Sequence, residues 1–265
     1  MLIAQISDPH VVAPGRKTCG VAPTAENLAR CVASINALVP RPDLVLVSGD
    51  LTHGATREQA EHAASLLDGL ARPYRVVPGN HDDRVVLGEV FGDKAGVQVD
   101  GFVCHVTEAG PVRIIGLDSV DSGRAGGAFC PKRLAWLRDC LEEGGDAPTL
   151  LFMHHPPLKL GVPETDVDGF RGAAELGELV AAWPNIERIL CGHIHLPTHS
   201  RWRGTIVTTA PSTAMDLDLD LTQPEHSRFR LSEPAYLLHH RLAGGTIVTH
   251  SVRLSGAAGP YDFSG

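Results

Sequence analysis

The chain has 265 residues, of which 43% are hydrophobic and 20% charged, and a net charge of −8 at pH 7. These values fit an ordinary globular chain with one substantial core and argue against a binder of long nucleic acid, which needs rows of Lys and Arg. No apolar run nears the roughly 20 residues that cross a bilayer, and Met1-Leu2-Ile3-Ala4-Gln5-Ile6 has no basic leader, so the expectation is a cytoplasmic protein without membrane contact.

The first predicted strand, residues 2–7, ends in Asp8-Pro9-His10. Side chains two apart in an extended chain face the same way, so Asp8 and His10 present a carboxylate and an imidazole together. Alone, the pair reads more simply as a turn cap beside a histidine. The loop that follows carries Arg16 and Lys17, cations that either reach over a site at the strand end or stay solvated. Thr24 starts a helix with Leu28, Cys31, Val32, Ile35 and Leu38 at helical spacing, stopping before Pro40. Leu44-Val45-Leu46-Val47-Ser48-Gly49-Asp50 is then a buried parallel strand that completes a βαβ unit. It delivers Asp50 at its carboxyl end, where open α/β sheets place their ligands.

Thr56 and Gln59 form a capping box for a helix through Leu70, and a strand at 74–77 ends in Pro78-Gly79-Asn80-His81-Asp82. Asn80 offers a neutral carbonyl oxygen and His81 an imidazole, while Asp82 caps the helix at 83–91 or orients a ligand. Residues 102–107 and 112–118 alternate as an antiparallel pair, and Pro131 opens a helix with Leu134, Leu137, Cys140 and Leu141 as its buried stripe. A strand at 149–153 ends in His154-His155; after a helix at 172–182, a strand at 186–190 ends in Cys191-Gly192-His193-Ile194-His195. Further strands are predicted at 205–209, 236–240 and 246–252. Between Pro211 and Pro234 a polar segment with Asp216, Asp218 and Asp220 is a functional loop, an oligomer contact or a solvated connection. Six cysteines form no C-x-x-C pair and read as reduced thiols, mostly small core residues.

Any one of these strand endings is ordinary, but Asp-x-His, Gly-Asp, Asn-His-Asp, His-His and His-x-His in succession are hard to reconcile with satisfied core histidines. The donors suit two cations that share one carboxylate, and Asp50 is the natural bridge. With these motifs, from residue 8 to residue 195, the chain resembles the calcineurin-like dinuclear metallophosphoesterases. The resemblance implies an α/β fold of α+β type: a four-layer αββα sandwich of two mixed β-sheets flanked by helices, with the metal site at the strand C-terminal ends. Residues 1–265 would form a single domain, with 211–234 and the C-terminal segment as a cap or oligomer contact. One ion would be held by Asp8, His10, Asp50 and His195 and the other by Asp50, Asn80, His154 and His193, the ions being Fe, Mn, Zn or Co. His81 would be catalytic, contacting the phosphoryl oxygens and protonating the leaving group, with Asn80 and His195 also touching substrate.

Asp8-Pro9-His10, Pro78-Gly79-Asn80-His81-Asp82-Asp83, Phe152-Met153-His154-His155-Pro156-Pro157 and Ala258-Gly259-Pro260 are similar in particular to the bacterial 3′,5′-cyclic nucleotide phosphodiesterases and glycerophosphodiesterases. That likeness implies hydrolysis of small phosphodiesters, cyclic AMP first, by a hydroxide that the two metals activate, in a homodimer or larger homo-oligomer. The alternatives are a glycerophosphodiesterase, a broad phosphomono- and diesterase or, in another class, a non-catalytic scaffold, which should lack ligands that this chain keeps. Two positions depart from pattern. His53 stands where purple acid phosphatases have a tyrosine, and Met215 stands where glycerophosphodiesterases have a histidine that can donate a hydrogen bond, as a thioether cannot. Arg16, Lys17 and Met215 complete the expected substrate contacts.

Overall fold

Continuous apolar runs such as Leu2–Ile6, Leu44–Ser48 and Thr149–Met153 arise because these strands are covered on both faces. In the computed structural model, which describes residues 1–96, 98–222, 227–256 and 261–263, the two-residue period of a strand divides its side chains between different cores. Ala4, Ile6, Val45, Val47 and Val76 pack outward against Leu28, Ile35, Ala63, Leu67, Leu87 and Phe91 of three helices, Thr24–Ala37, Arg57–Leu67 and Arg84–Phe91. Their neighbours Ile3, Leu44, Leu46 and Val77 turn inward and meet Val112, Ile114, Leu150, Phe152 and Leu190 of a second sheet. On the far side of that sheet Ile115, Leu117, Leu151, Met153 and Ile189 pack on Leu137, Leu141, Leu176 and Val180 of the helices Pro131–Gly144 and Ala173–Ala182. Helix, sheet, sheet and helix follow in that order, the expected four layers.

The first sheet runs Ile247–Arg253, Ala235–Arg241, Leu2–Ile6, Leu44–Ser48, Tyr74–Val77; the last three strands are parallel and the first two add antiparallel. The second runs Thr198–Trp202, Thr205–Thr209, Ile186–Cys191, Thr149–Met153, Val112–Leu117, His105–Ala109, with four parallel inner strands and an antiparallel strand at each edge. Both sheets are mixed, and the parallel strands carry their carboxyl ends, and the motifs that follow them, to one rim.

Several local expectations are corrected. The second helix stops at Leu67, before Gly69. The Thr56 hydroxyl accepts a hydrogen bond from the Gln59 backbone N–H as a cap should, but the Gln59 side-chain Oε1 accepts from the His53 and Gly54 amides and so braces the loop after Asp50. The predicted strand at 102–107 divides at Cys104: Phe102–Val103 pairs with Gln98–Val99 and His105–Ala109 with Val112–Leu117. His105 turns between the sheets, where its Nε2–H donates to the Val76 carbonyl at 3.1 Å, on the otherwise unpaired edge of the first sheet. The strand Thr198–Trp202 was not foreseen, because an edge strand with alternately exposed Thr, His, Ser and Arg lacks an apolar run. Within the 211–234 segment, Met215–Leu217 and Phe229–Leu231 form a hairpin; residues 223–226 and the Ala258-Gly259-Pro260 motif lie outside the described residues. Among the described residues no helix is long and apolar enough to cross a membrane.

Candidate metal centre

Three glycines let the strand ends approach one another. A Cβ on Gly49 would lie 2.5 Å from His154 Nδ1, one on Gly79 2.1 Å from Asp50 Oδ1, and one on Gly192 2.0 Å from Ser7 Oγ. Beyond each strand the chain bends through left-handed backbone: Asp8, His10, Asp50, His193 and His195 have φ of 50°, 43°, 50°, 71° and 56°. Such conformations cost roughly 1 kcal/mol or more apiece and persist where the surroundings hold them. Here the His10 amide donates to the Asp50 carbonyl at 2.9 Å, the His81 amide to Asp50 Oδ1 at 2.9 Å, and the His193 amide to Asp8 Oδ2 at 3.1 Å. The loops that carry the side chains therefore position one another.

Asp8, His10, Asp50 and His195 bring their ligating atoms within 4.8 Å of one another. His10 Nε2 lies 3.4 Å from Asp50 Oδ2, His195 Nε2 3.4 Å from Asp8 Oδ1, and the two Nε2 atoms 3.0 Å apart. A second cluster joins His154, His155 and His193, with Asn80 Oδ1 3.2 Å from Nε2 of both His154 and His155. Asp50 Oδ2 is also 3.4 Å from His154 Nε2. One carboxylate oxygen is thus equidistant from an imidazole of each cluster, the place a shared ligand must take.

The outer nitrogens show which way the rings face. His154 Nδ1 meets the Ser48 carbonyl at 2.8 Å and His195 Nδ1 the Met215 carbonyl at 2.7 Å. A carbonyl only accepts, so each Nδ1 carries the hydrogen and, in the neutral ring, Nε2 turns a lone pair inward onto carboxylate oxygens. Asp8 and Asp50 are 0% and 2% exposed, and among the described residues neither pairs with Lys or Arg. Two buried carboxylates facing imidazole lone pairs call for positive charge at the centre. The pKa directions express the same demand. Burial pushes Asp50 up, but His154 and His10 outweigh it and hold it well below the usual carboxylate range. Burial pushes His154 down, yet Asp50 and Asp8 carry it up to about 9. Burial takes His10 and His193 down to about 3, so both stay neutral donors. A mixed carboxylate, amide and imidazole set of this kind fits divalent cations.

Asp82 does not cap the third helix; Asp83 does, accepting from the Val85 and Val86 amides at 2.9 Å. The Asp82 carboxylate instead accepts from the Leu51, Thr52 and Gly79 amides and from the Thr52 hydroxyl, tying the Asp50 loop to the Asn80 loop. Burial and the charge of Asp50 push its carboxyl up to about 6.

A cleft of about 320 Å³ opens over the clusters, lined by His10, Asp50, Asn80, His81, His193, His195 and Met215. Arg16 and Lys17 are exposed and do not line it; Cys19 of the same loop does. Four features lay outside the sequence-based site. His155 lies beside the second cluster, its Nε2 meeting the Ala125 carbonyl at 3.0 Å and so carrying a hydrogen rather than an inward lone pair; in a straight strand its side chain would face away from that of His154, and only the turn after Met153 brings both inward. His53 lies with its ring stacked on His81 at 5.3 Å and accepts the His81 Nδ1–H at its carbonyl. Glu164, Thr165 and Asp168, and from a separate stretch Leu217, Ser227, Arg228 and Phe229, also line the cleft. No strand-ending motif marks either stretch.

The family model described as calcineurin-like phosphoesterase matches residues 1–197. A probable glycerophosphodiester phosphodiesterase GpdQ of Arcobacter nitrofigilis is 33% identical over 264 residues, covering 99% of this chain and 97% of that protein. The 3′,5′-cyclic adenosine monophosphate phosphodiesterase CpdA of Escherichia coli K12 is 29% identical over 255 residues, covering 96% and 90%. Among solved structures, a dimetal phosphatase of Danio rerio superposes with a TM-score of 0.66 at 17% identity, covering 96% of this chain and 99% of that one.

Proposed function

Because the chain belongs to the calcineurin-like phosphoesterase family, we propose that it is a two-metal hydrolase of small phosphodiesters, with 3′,5′-cyclic nucleotides as its substrates. The observation that carries this reading is Asp50 Oδ2, 3.4 Å from both His10 Nε2 and His154 Nε2. Asp8, His10, Asp50 and His195 would hold one ion and Asp50, Asn80, His154 and His193 the other. Divalent ions so held make water nucleophilic near neutral pH and offset the charge that builds on a phosphoryl group. His81 supports the leaving oxygen: its Nδ1–H is engaged by the His53 carbonyl, which leaves Nε2 to carry a proton to that oxygen. Asn80 turns Oδ1 toward His154 and His155 and keeps its amide hydrogens for a phosphoryl oxygen. As a neutral residue it also leaves the centre positive enough to accept an anion. His195, fixed by the Met215 carbonyl, sits at the edge of the cleft where substrate passes.

In this reading residues 1–265 work as one domain whose paired strands Met215–Leu217 and Phe229–Leu231 border the cleft. The 211–234 segment that carries them exposes Leu219, Leu221 and Leu231, apolar side chains that support its use as a contact between copies of the chain. Glycerophosphodiester hydrolysis is the second reading, favoured by the match to nearly the full length of the GpdQ relative; Met215 weighs against it because it offers no donor. A panel on protein of known metal content decides: cyclic AMP, cyclic GMP, glycerophosphoethanolamine, bis(p-nitrophenyl) phosphate and p-nitrophenyl phosphate. Higher kcat/KM for the cyclic nucleotides is expected, and a preference for the monoester would overturn the proposal.

A further inference from the structure

The cleft has two walls that the hydrolytic chemistry does not use. Met215–Leu217 pairs antiparallel with Phe229–Leu231, and Leu217 lies directly opposite Phe229. Residues two apart or cross-strand share a face, so Met215, Leu217 and Phe229 make a continuous apolar surface beside the metal ligands, and all three line the cleft. The one-turn helix Pro163–Asp166 and the residues after it contribute Glu164 and Asp168 to the lining of the same cleft, both partly exposed. Neither carboxylate makes an ion pair or hydrogen bond among the described residues, whereas the nearby Asp166 is used up on the Leu160 and Gly161 amides. Arg228, a cation of the same cleft, is already turned to Asp218 at 3.6 Å, so the two carboxylates, without a protein partner in a cleft that receives an anion, favour a ligand that brings hydrogen-bond donors to meet them.

We infer that these walls are a nucleobase subsite that favours guanine over adenine. A flat aromatic base lies on the Met215, Leu217 and Phe229 surface, as bases stack on apolar and aromatic side chains in single-strand binders. Its edge faces Glu164 and Asp168. An ionised carboxylate only accepts. Guanine sets its N1–H and its exocyclic amine side by side, two donors for two carboxylate oxygens, whereas adenine sets an acceptor, N1, beside its amine and turns a lone pair on the carboxylate. Discrimination is sharp when one base would leave a polar group of the site unpaired.

The inference rests on the cyclic-nucleotide reading, and one set of measurements separates the two. For the metal-loaded enzyme, kcat/KM on cyclic GMP is expected to exceed that on cyclic AMP by about tenfold or more. Glu164→Gln and Asp168→Asn, singly and together, should bring that ratio toward one mainly through KM for cyclic GMP, because an amide can donate to adenine N1 while matching guanine less well. Phe229→Ala should raise KM for both nucleotides and leave their ratio in place. If both nucleotides are cleaved well but with equal efficiency, or if the ratio survives the double substitution, the guanine subsite is wrong and the hydrolase reading stands. If glycerophosphoethanolamine outcompetes both and loses its advantage in Glu164→Gln/Asp168→Asn, the carboxylates read an ammonium group, and the cyclic-nucleotide reading falls with the inference.

Discussion

His105 and His239 are as deeply buried as His10 and His154, with exposures of 7% and 0% against 3% and 0%, yet the two pairs do opposite things. His239, in the first sheet, meets Gln5 Oε1 with Nε2 at 2.9 Å and the Thr249 hydroxyl with Nδ1 at 3.0 Å. His105 gives its Nε2–H to Val76 across the gap between the sheets. Among the described residues no carboxylate pairs with either ring, and burial takes His239 down to about 3 and His105 to about 4. At the rim, His154 and His195 spend Nδ1 on a backbone carbonyl and turn Nε2 onto a carboxylate. What the inner nitrogen faces, rather than depth, separates a structural imidazole from a ligand.

The contrast breaks most readily at Asp50. Asp50→Ala should lower diester turnover at least about a thousandfold and leave fewer than two ions per chain by metal analysis, as expected when the stabilisation of developing charge is lost. Asp82→Ala touches no substrate but unties the Asp50 and Asn80 loops; a fall of about 10- to 100-fold in kcat with weakened metal retention is expected. If its activity were unchanged, the loops would be held by other contacts.

His105 should behave in the opposite way. Its folded pKa of about 4 lies below the 6.5 of a free imidazole, so between these values the unfolded chain takes up a proton that the folded chain refuses. The stability this neutral ring contributes is complete above pH 6.5 and is lost as pH falls toward 4, about 3 kcal/mol at most. Denaturant unfolding at pH 7 and pH 4.5 should show that loss reduced in His105→Gln, with diester kcat/KM at pH 7 within about twofold of the parent. A large loss of activity with unchanged metal content would place His105 in the site after all. The smallest effect belongs to Arg16→Ala: an exposed side chain outside the cleft should leave KM within about twofold, and a clear rise in KM would return that loop to the substrate path.

Much of the fold could be read from the chain in order. The apolar runs at 44–48 and 149–153 announce strands covered on both faces, and the Gly49, Gly79 and Gly192 steps precede the polar motifs. The capping box at Thr56 was half right, since the Gln59 side chain serves the Asp50 loop, a partner that exists only after folding. The edge strand Thr198–Trp202 escaped because half of its side chains face water and no apolar period marks it. For Arg16 and Lys17 the sequence leaves both a place over the site and a solvated loop open, because charge does not say where a loop lies.

By itself the sequence determined where the strands end and which metal-competent side chains stand there, because strand propensity and the period of two are local properties. Only the tertiary structure decided that His155 lies beside the second cluster, that Asp82 ties two loops, and that Glu164, Asp168, Leu217 and Phe229 line the cleft. Those relations depend on how two sheets stack and which loops their shared rim brings together, and the packing of the Ile3, Leu46, Ile114 and Phe152 layer between the sheets sets that geometry across more than a hundred residues of chain.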